Sequence, residues 1–158
     1  MVESNIQLPE ELLQYIANTK YLPPMICEPR VIKTNWESGY LTVEDQVMLK
    51  NNTHNGKLPL DVINARNSIA LSLDLHMLQY EEESKNPLDT PEKIANFNRM
   101  KDSSRRVYND LVEQGNKFYL THKVDERLRT YTQGYHCSYQ SSQYKKSLIN
   151  LHKKELIV

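Results

Sequence analysis

The 158-residue sequence predicts an α+β fold that is mainly α, and three observations carry that expectation. Residues 59–83 run without an internal Gly or Pro. Thr90, Pro91 and Glu92 form a helix start ahead of a long, partly apolar stripe. Beyond Gly115 the chain turns rich in Tyr and Thr, residues that suit a pleated, half-buried surface. The expected architecture is a long helical hairpin followed by short antiparallel strands and a closing helix.

Pro9, Glu10 and Glu11 ahead of Leu12, Leu13 and Ile16 predict a short first helix, with Pro in the first turn and acids facing the positive end of the dipole. Leu22, Pro23 and Pro24 stop it. From Met25 to Leu41 there is no sustained periodicity, so the segment is expected to be extended or irregular, with at most one short strand, and anchored to a core by the lone Trp36. Residues 51–56 form a polar loop of turn formers. Over 59–83 length favours helix, since strands longer than about 10 residues are uncommon, although Leu71, Leu73 and Leu75 alternate with Ser72, Asp74 and His76 as in a strand. After a charged connection at 81–87, a second helix is expected to begin at the Thr90 cap and end near Gly115, with Ile94, Phe97, Val107, Leu111 and Phe118 partly fitting one stripe. Strands are expected between Leu120 and Tyr139, and Leu148, Ile149, Leu151 and Leu156 suggest the closing helix. The organisation is thus threefold: an N-terminal helix and irregular connector at 1–42, the hairpin at 43–116, and strands with a final helix at 117–158.

A mean hydropathy of -0.69, with no run near the roughly 18 apolar residues a spanning helix needs, excludes a helical membrane protein. Acids at the N-terminus, in place of a basic and then apolar leader, speak against an export signal. Cys27 and Cys137 lie far apart with no C-x-x-C pair, as free thiols of a cytoplasmic protein would. The formal net charge of zero hides a segregation: residues 1–100 hold 9 Lys and Arg against 14 acids, and residues 101–158 hold 11 against 6. An anionic partner would sit on the second half.

The sharpest cluster is Asp125, Arg127 and Arg129. On a strand, i, i+2 and i+4 share a face, so two guanidinium forks and a carboxylate that orients them would form a phosphate clamp. The alternative is an ordinary surface ion pair of small energetic weight. Arg105 and Arg106, after Ser104 in the second helix, could track a nucleic-acid backbone or simply be solvated. The five histidines have no spacing that would build a metal site, and four glycines leave little room for a phosphate-cradling loop.

Residues 118–131, Phe-Tyr-Leu-Thr-His-Lys-Val-Asp-Glu-Arg-Leu-Arg-Thr-Tyr, resemble the D-x-x-G-R region of the single-subunit RNA polymerases of phage and mitochondrial type. Residues 139–149 are similar to that family's N-x-Q-G-x-D-x-x-K/R-x-L-L segment, with Lys146 at the basic position. Ser104, Arg105 and Arg106 with residues 113–118 resemble its S-R-R and E-Q-A-N-K-F run. Pro24, Met25 and Ile26 with Gly39 and Tyr40 resemble its P-M-V and G-G-Y stretch, and Val62, Ile63, Asn64, Ala65 and Ala70 its A-I-N thumb helix. The five segments keep the family's order. Two departures stand out: Leu128 replaces the motif's Gly, and no Asp-Gly or His-Asp dipeptide is present to supply metal-binding carboxylates.

The resemblance implies the smaller, non-catalytic chain of a two-chain phage DNA-directed RNA polymerase, with the hairpin as its thumb. It implies that Arg127 and Arg129 grip the template or the RNA–DNA hybrid, that Asp125 orients them, and that Lys146, Arg105 and Arg106 add contacts. No cofactor is expected in this chain, and Mg²⁺ is expected in the partner chain. The implied partners are a larger chain with palm and fingers, template DNA and nascent RNA, and, as a further candidate, a single-stranded-DNA-binding or promoter-opening factor; no membrane is expected. The competing readings are a freestanding helical nucleic-acid-binding regulator and a scaffold with no nucleic-acid role.

Overall fold

The computed structural model describes Pro9 and residues 22–154. The first predicted helix, from Glu10 to Ile16, and the far end of the closing helix at Leu156 lie outside the described residues. Helix α1 (Leu60–Asn67) leads into strand β1 (Leu71–Leu73) and a single 3-10 turn at Met77–Gln79. Helix α2 (Pro91–Glu113) is followed by β2 (Thr121–Val124), β3 (Thr130–Gln133), α3 (Gln143–Ser147) and β4 (Ile149–Leu151). The strands pair as two antiparallel two-stranded sheets, β1 with β4 and β2 with β3.

The fold is α+β, but it is not mainly α. Among the described residues, helices make up 29% and no long helical hairpin is present. The segment 59–83, expected as one helix, breaks after Asn67. Its period-2 alternation prevails over its length because distant partners sit on both sides. Leu71 exchanges backbone bonds with Phe118, at 2.8 and 2.9 Å, and pairs across with Leu151 on the other edge. The carboxamide of Asn116 then imitates a strand, accepting from Leu73 N–H at 2.8 Å and donating to its C=O at 2.9 Å.

The second helix forms as expected. Thr90 accepts from the Lys93 amide, Pro91 opens the first turn, and Gly115 follows the end with φ +96. Its 23 residues span about 35 Å. Its buried residues among those described, Ser104, Tyr108 and Leu111, all lie in the C-terminal half, while residues 91–96 are exposed. The closing helix is cut to five residues, capped by Ser142, because Ile149 and Leu151 find the edge of β1 and become strand β4.

Residues 118–124 are the spine of the molecule. Phe118 and Leu120 belong to one cluster with Leu71, Leu73, Tyr108, Leu111, Cys137 and Leu148. Val124 belongs to a second with Ile32, Val47, Met48, Leu58 and Ile63. Trp36 is not a core anchor: it is 80% exposed, at the outer corner of a turn closed by Glu37, which accepts from the Lys33 and Thr34 amides. The anchor is Ile32, whose N–H and C=O are both held by the Asn64 carboxamide, at 2.8 and 2.9 Å. No helix of the described residues is long and apolar enough to cross a membrane.

Candidate nucleic-acid interface

Asp125, Arg127 and Arg129 lie in the tight turn between β2 and β3, so they do not line one strand face as the spacing predicts. The physical reason is the side chain of Asp125, which folds the backbone around itself. Its Oδ1 accepts from the amides of Arg127 at 3.0 Å and Arg129 at 2.9 Å, and its Oδ2 accepts from Arg129 Nε at 2.7 Å and from the Tyr131 hydroxyl at 3.2 Å. Leu128 N–H donates to Asp125 C=O at 3.0 Å and Asp125 N–H to Arg129 C=O at 3.1 Å, the pattern of a three-residue hairpin loop whose last position is left-handed. Leu128 has φ +63 there, at the position where the motif it resembles has Gly. Glu126 N–H on Asn52 Oδ1, and Val124 between Val47 and Leu49, fix the turn to the second core cluster.

A leucine in the left-handed region costs about 1 to 2 kcal/mol, partly offset in any Gly comparison by the looser unfolded chain. Leu128 is 40% exposed and gives up little burial. Leu128→Gly is therefore expected to raise stability by up to about 1 kcal/mol in urea unfolding, and a destabilised variant would refute the strain.

Burial of Asp125 pushes its carboxyl up, but the Arg129 amide and guanidinium and the Arg127 amide outweigh it and hold the group below the ordinary carboxylate range. The Asp125 carboxylate in turn raises the Arg129 guanidinium above its ordinary value. Asp125 Oδ2 binds Nε and one terminal nitrogen of Arg129, the latter also at 2.7 Å, and the Arg129 side chain is otherwise exposed. The Arg129 guanidinium also lies 6.0 Å from the Tyr131 ring centroid. Arg127 is exposed at the tip of the same turn.

The remaining sequence-predicted cations are not gathered into this turn. Arg105 donates to Leu78 C=O and borders a groove of mixed charge with Glu81, Glu82 and Lys101. Arg106, next to it on α2, is exposed and points about 100° further round the helix. Lys146 is exposed on α3, whereas the adjacent Lys145 is buried. Lys145 donates to Tyr135 C=O at 3.0 Å and has no carboxylate within 4 Å among the described residues. Burial lowers its pKa. Nothing in residue type separates two neighbouring lysines; the difference comes from which side of a five-residue helix faces the core. Of the two free cysteines, Cys27 is exposed, and burial pushes the Cys137 thiol up to about 12.

Sequence reasoning also missed the His122 relay. Its Nδ1 meets Asn67 Oδ1 at 2.8 Å and its Nε2 meets the Tyr139 hydroxyl, in a site 3% exposed. Burial, helped by Arg66, lowers its pKa from 6.5 to about 4. The unfolded chain therefore takes up this proton first. The stability His122 contributes is present above pH 6.5 and is lost as pH falls from 6.5 towards 4. The expected loss is on the order of 2 kcal/mol after a discount for solvent at the ring, and His122→Gln should flatten that limb of the stability curve.

No protein-family model matches the chain, and no curated protein matches it either.

Proposed function

We propose that this chain is the smaller subunit of a two-chain, phage-type DNA-directed RNA polymerase, and that the β2–β3 turn holds template DNA or the RNA–DNA hybrid. The larger chain would carry palm, fingers and the metal-binding carboxylates with their Mg²⁺. A promoter-opening or single-stranded-DNA-binding factor is a further candidate partner, and the setting would be the cytoplasm of an infected host cell. One observation carries the reading: a carboxylate, held by two amides and a guanidinium, stiffens a turn that presents Arg127 and Arg129 to solvent, with a left-handed residue at the Gly position of the motif. Two exposed guanidinium groups on a rigid turn suit phosphate oxygens, which set register and affinity without reading bases. Lys146 adds a phosphate contact from α3, and Arg105 and Arg106 reach the nucleic acid from α2, which takes the place of the expected hairpin.

Binding of a fluorescent RNA–DNA hybrid, titrated against salt, tests the clamp. Each phosphate contact contributes close to one unit to the slope of log affinity against log salt, so Arg127→Ala with Arg129→Ala should lower that slope by about 2. An unchanged slope removes the assignment.

A further inference from the structure

We propose that the outer edge of β4 docks an extended strand of a partner protein, apolar at alternate residues and acidic at one end. The inference deepens the two-chain reading, on which that strand belongs to the larger chain.

The ladder alternates. His152 N–H donates to Ala70 C=O at 3.0 Å and Asp74 N–H donates to Leu148 C=O at 2.8 Å, so Asn150 between them faces Ser72. The N–H and C=O of Ile149 and Leu151 consequently point away from β1. On the opposite edge of this sheet the equivalent groups are all satisfied, those of Leu71 by Phe118 and those of Leu73 by the Asn116 carboxamide. On β4 no described residue bonds them. An edge left unpaired by the described residues is a template for strand addition.

Side chains agree with the backbone. Leu71, Leu73, Ile149 and Leu151 share one face by register; the first two are buried, and Leu151 is 59% exposed. Leu151 borders a concavity of about 530 Å³ with Ile69, Ile149, Tyr139 and Arg66. A strand added to β4 would set its apolar side chains over Leu151 and into that hollow. Charge supplies the rest of the partner's chemistry: Lys153 and Lys154 follow the strand, both exposed, and make that end of it basic.

The test titrates the isotope-labelled chain with the capped peptide Glu-Val-Thr-Val-Thr-Val-Glu and follows backbone amides by NMR. Saturable shifts and slowed exchange are expected at Ile149 and Leu151. Leu151→Pro removes an outward N–H that the β1 ladder does not use, so the Ser72 and Asn150 amides should keep their protection while peptide affinity falls at least tenfold. Leu151→Lys, at an exposed side chain, serves as the second variant and should also weaken binding. The proposal is overturned if neither amide responds, if both variants bind as tightly as the parent, or if both amides are already protected in the free chain, where its own residues or a second copy would then cover the edge. Peptide binding alongside a failed hybrid titration would keep the docking edge and remove the polymerase reading; the converse pair of results would do the opposite.

Discussion

Phe118→Ala is expected to destabilise the chain by about 3 to 5 kcal/mol, a large share of the roughly 5 to 15 kcal/mol available to a domain. Phe118 is fully buried and heads the spine that joins the two core clusters. Truncation leaves a cavity beside Leu71, Tyr108 and Leu111, and the backbone exchange between Phe118 and Leu71 prevents that region from collapsing to fill it. In urea unfolding the midpoint should fall by about 2 M. A fall below about 0.5 M would mean that residues 118–124 do not tie the clusters together.

The second large effect is on function. Asp125→Ala removes the acceptor for two amides and a guanidinium at once and leaves Leu128 strained with nothing to hold it. Hybrid affinity should drop about tenfold or more, since the clamp relies on two guanidinium groups held in one orientation. Asp125→Asn keeps an oxygen for the amides of Arg127 and Arg129 and loses the ion pair, so it should fall between the parent and Asp125→Ala. Amide chemical shifts of Arg127 and Arg129 read the turn directly. If alanine and asparagine behave alike, the carboxylate acts only through its charge and the shaping of the backbone is refuted.

Local signals in the sequence proved legible where a single residue type dictates geometry. Thr90 and Pro91 start α2, Gly115 follows its end, and the Thr and Tyr density after Leu120 becomes β2 and β3. What was not legible depended on partners far along the chain. Leu71 and Leu73 become strand because Phe118, Asn116 and Leu151 meet them, and Asn64 secures Ile32 from 32 residues away. Trp36 shows the limit of residue type as a guide to burial: Ile32 and Asn64 do the anchoring, and the indole stays outside.

The candidate site divides in the same way. The pairing of Asp125 with Arg129 could be read from residue types, since a carboxylate four residues from an arginine in a short segment has few other partners. That the pair closes a turn instead of lining a strand could not, because it depends on Asp125 accepting backbone amides and on Leu128 entering the left-handed region. The burial of Lys145 beside an exposed Lys146 follows only from where α3 packs.

Transcription by the purified pair of chains tests the central claim most directly. This chain should co-purify with the product of a neighbouring reading frame that carries the missing carboxylate motifs, and the pair should extend RNA on a DNA template with Mg²⁺ while this chain alone does not. Arg127→Ala with Arg129→Ala should leave co-purification intact and lose extension as salt is raised. RNA synthesis by this chain alone, or normal extension by the double variant at raised salt, would contradict the account.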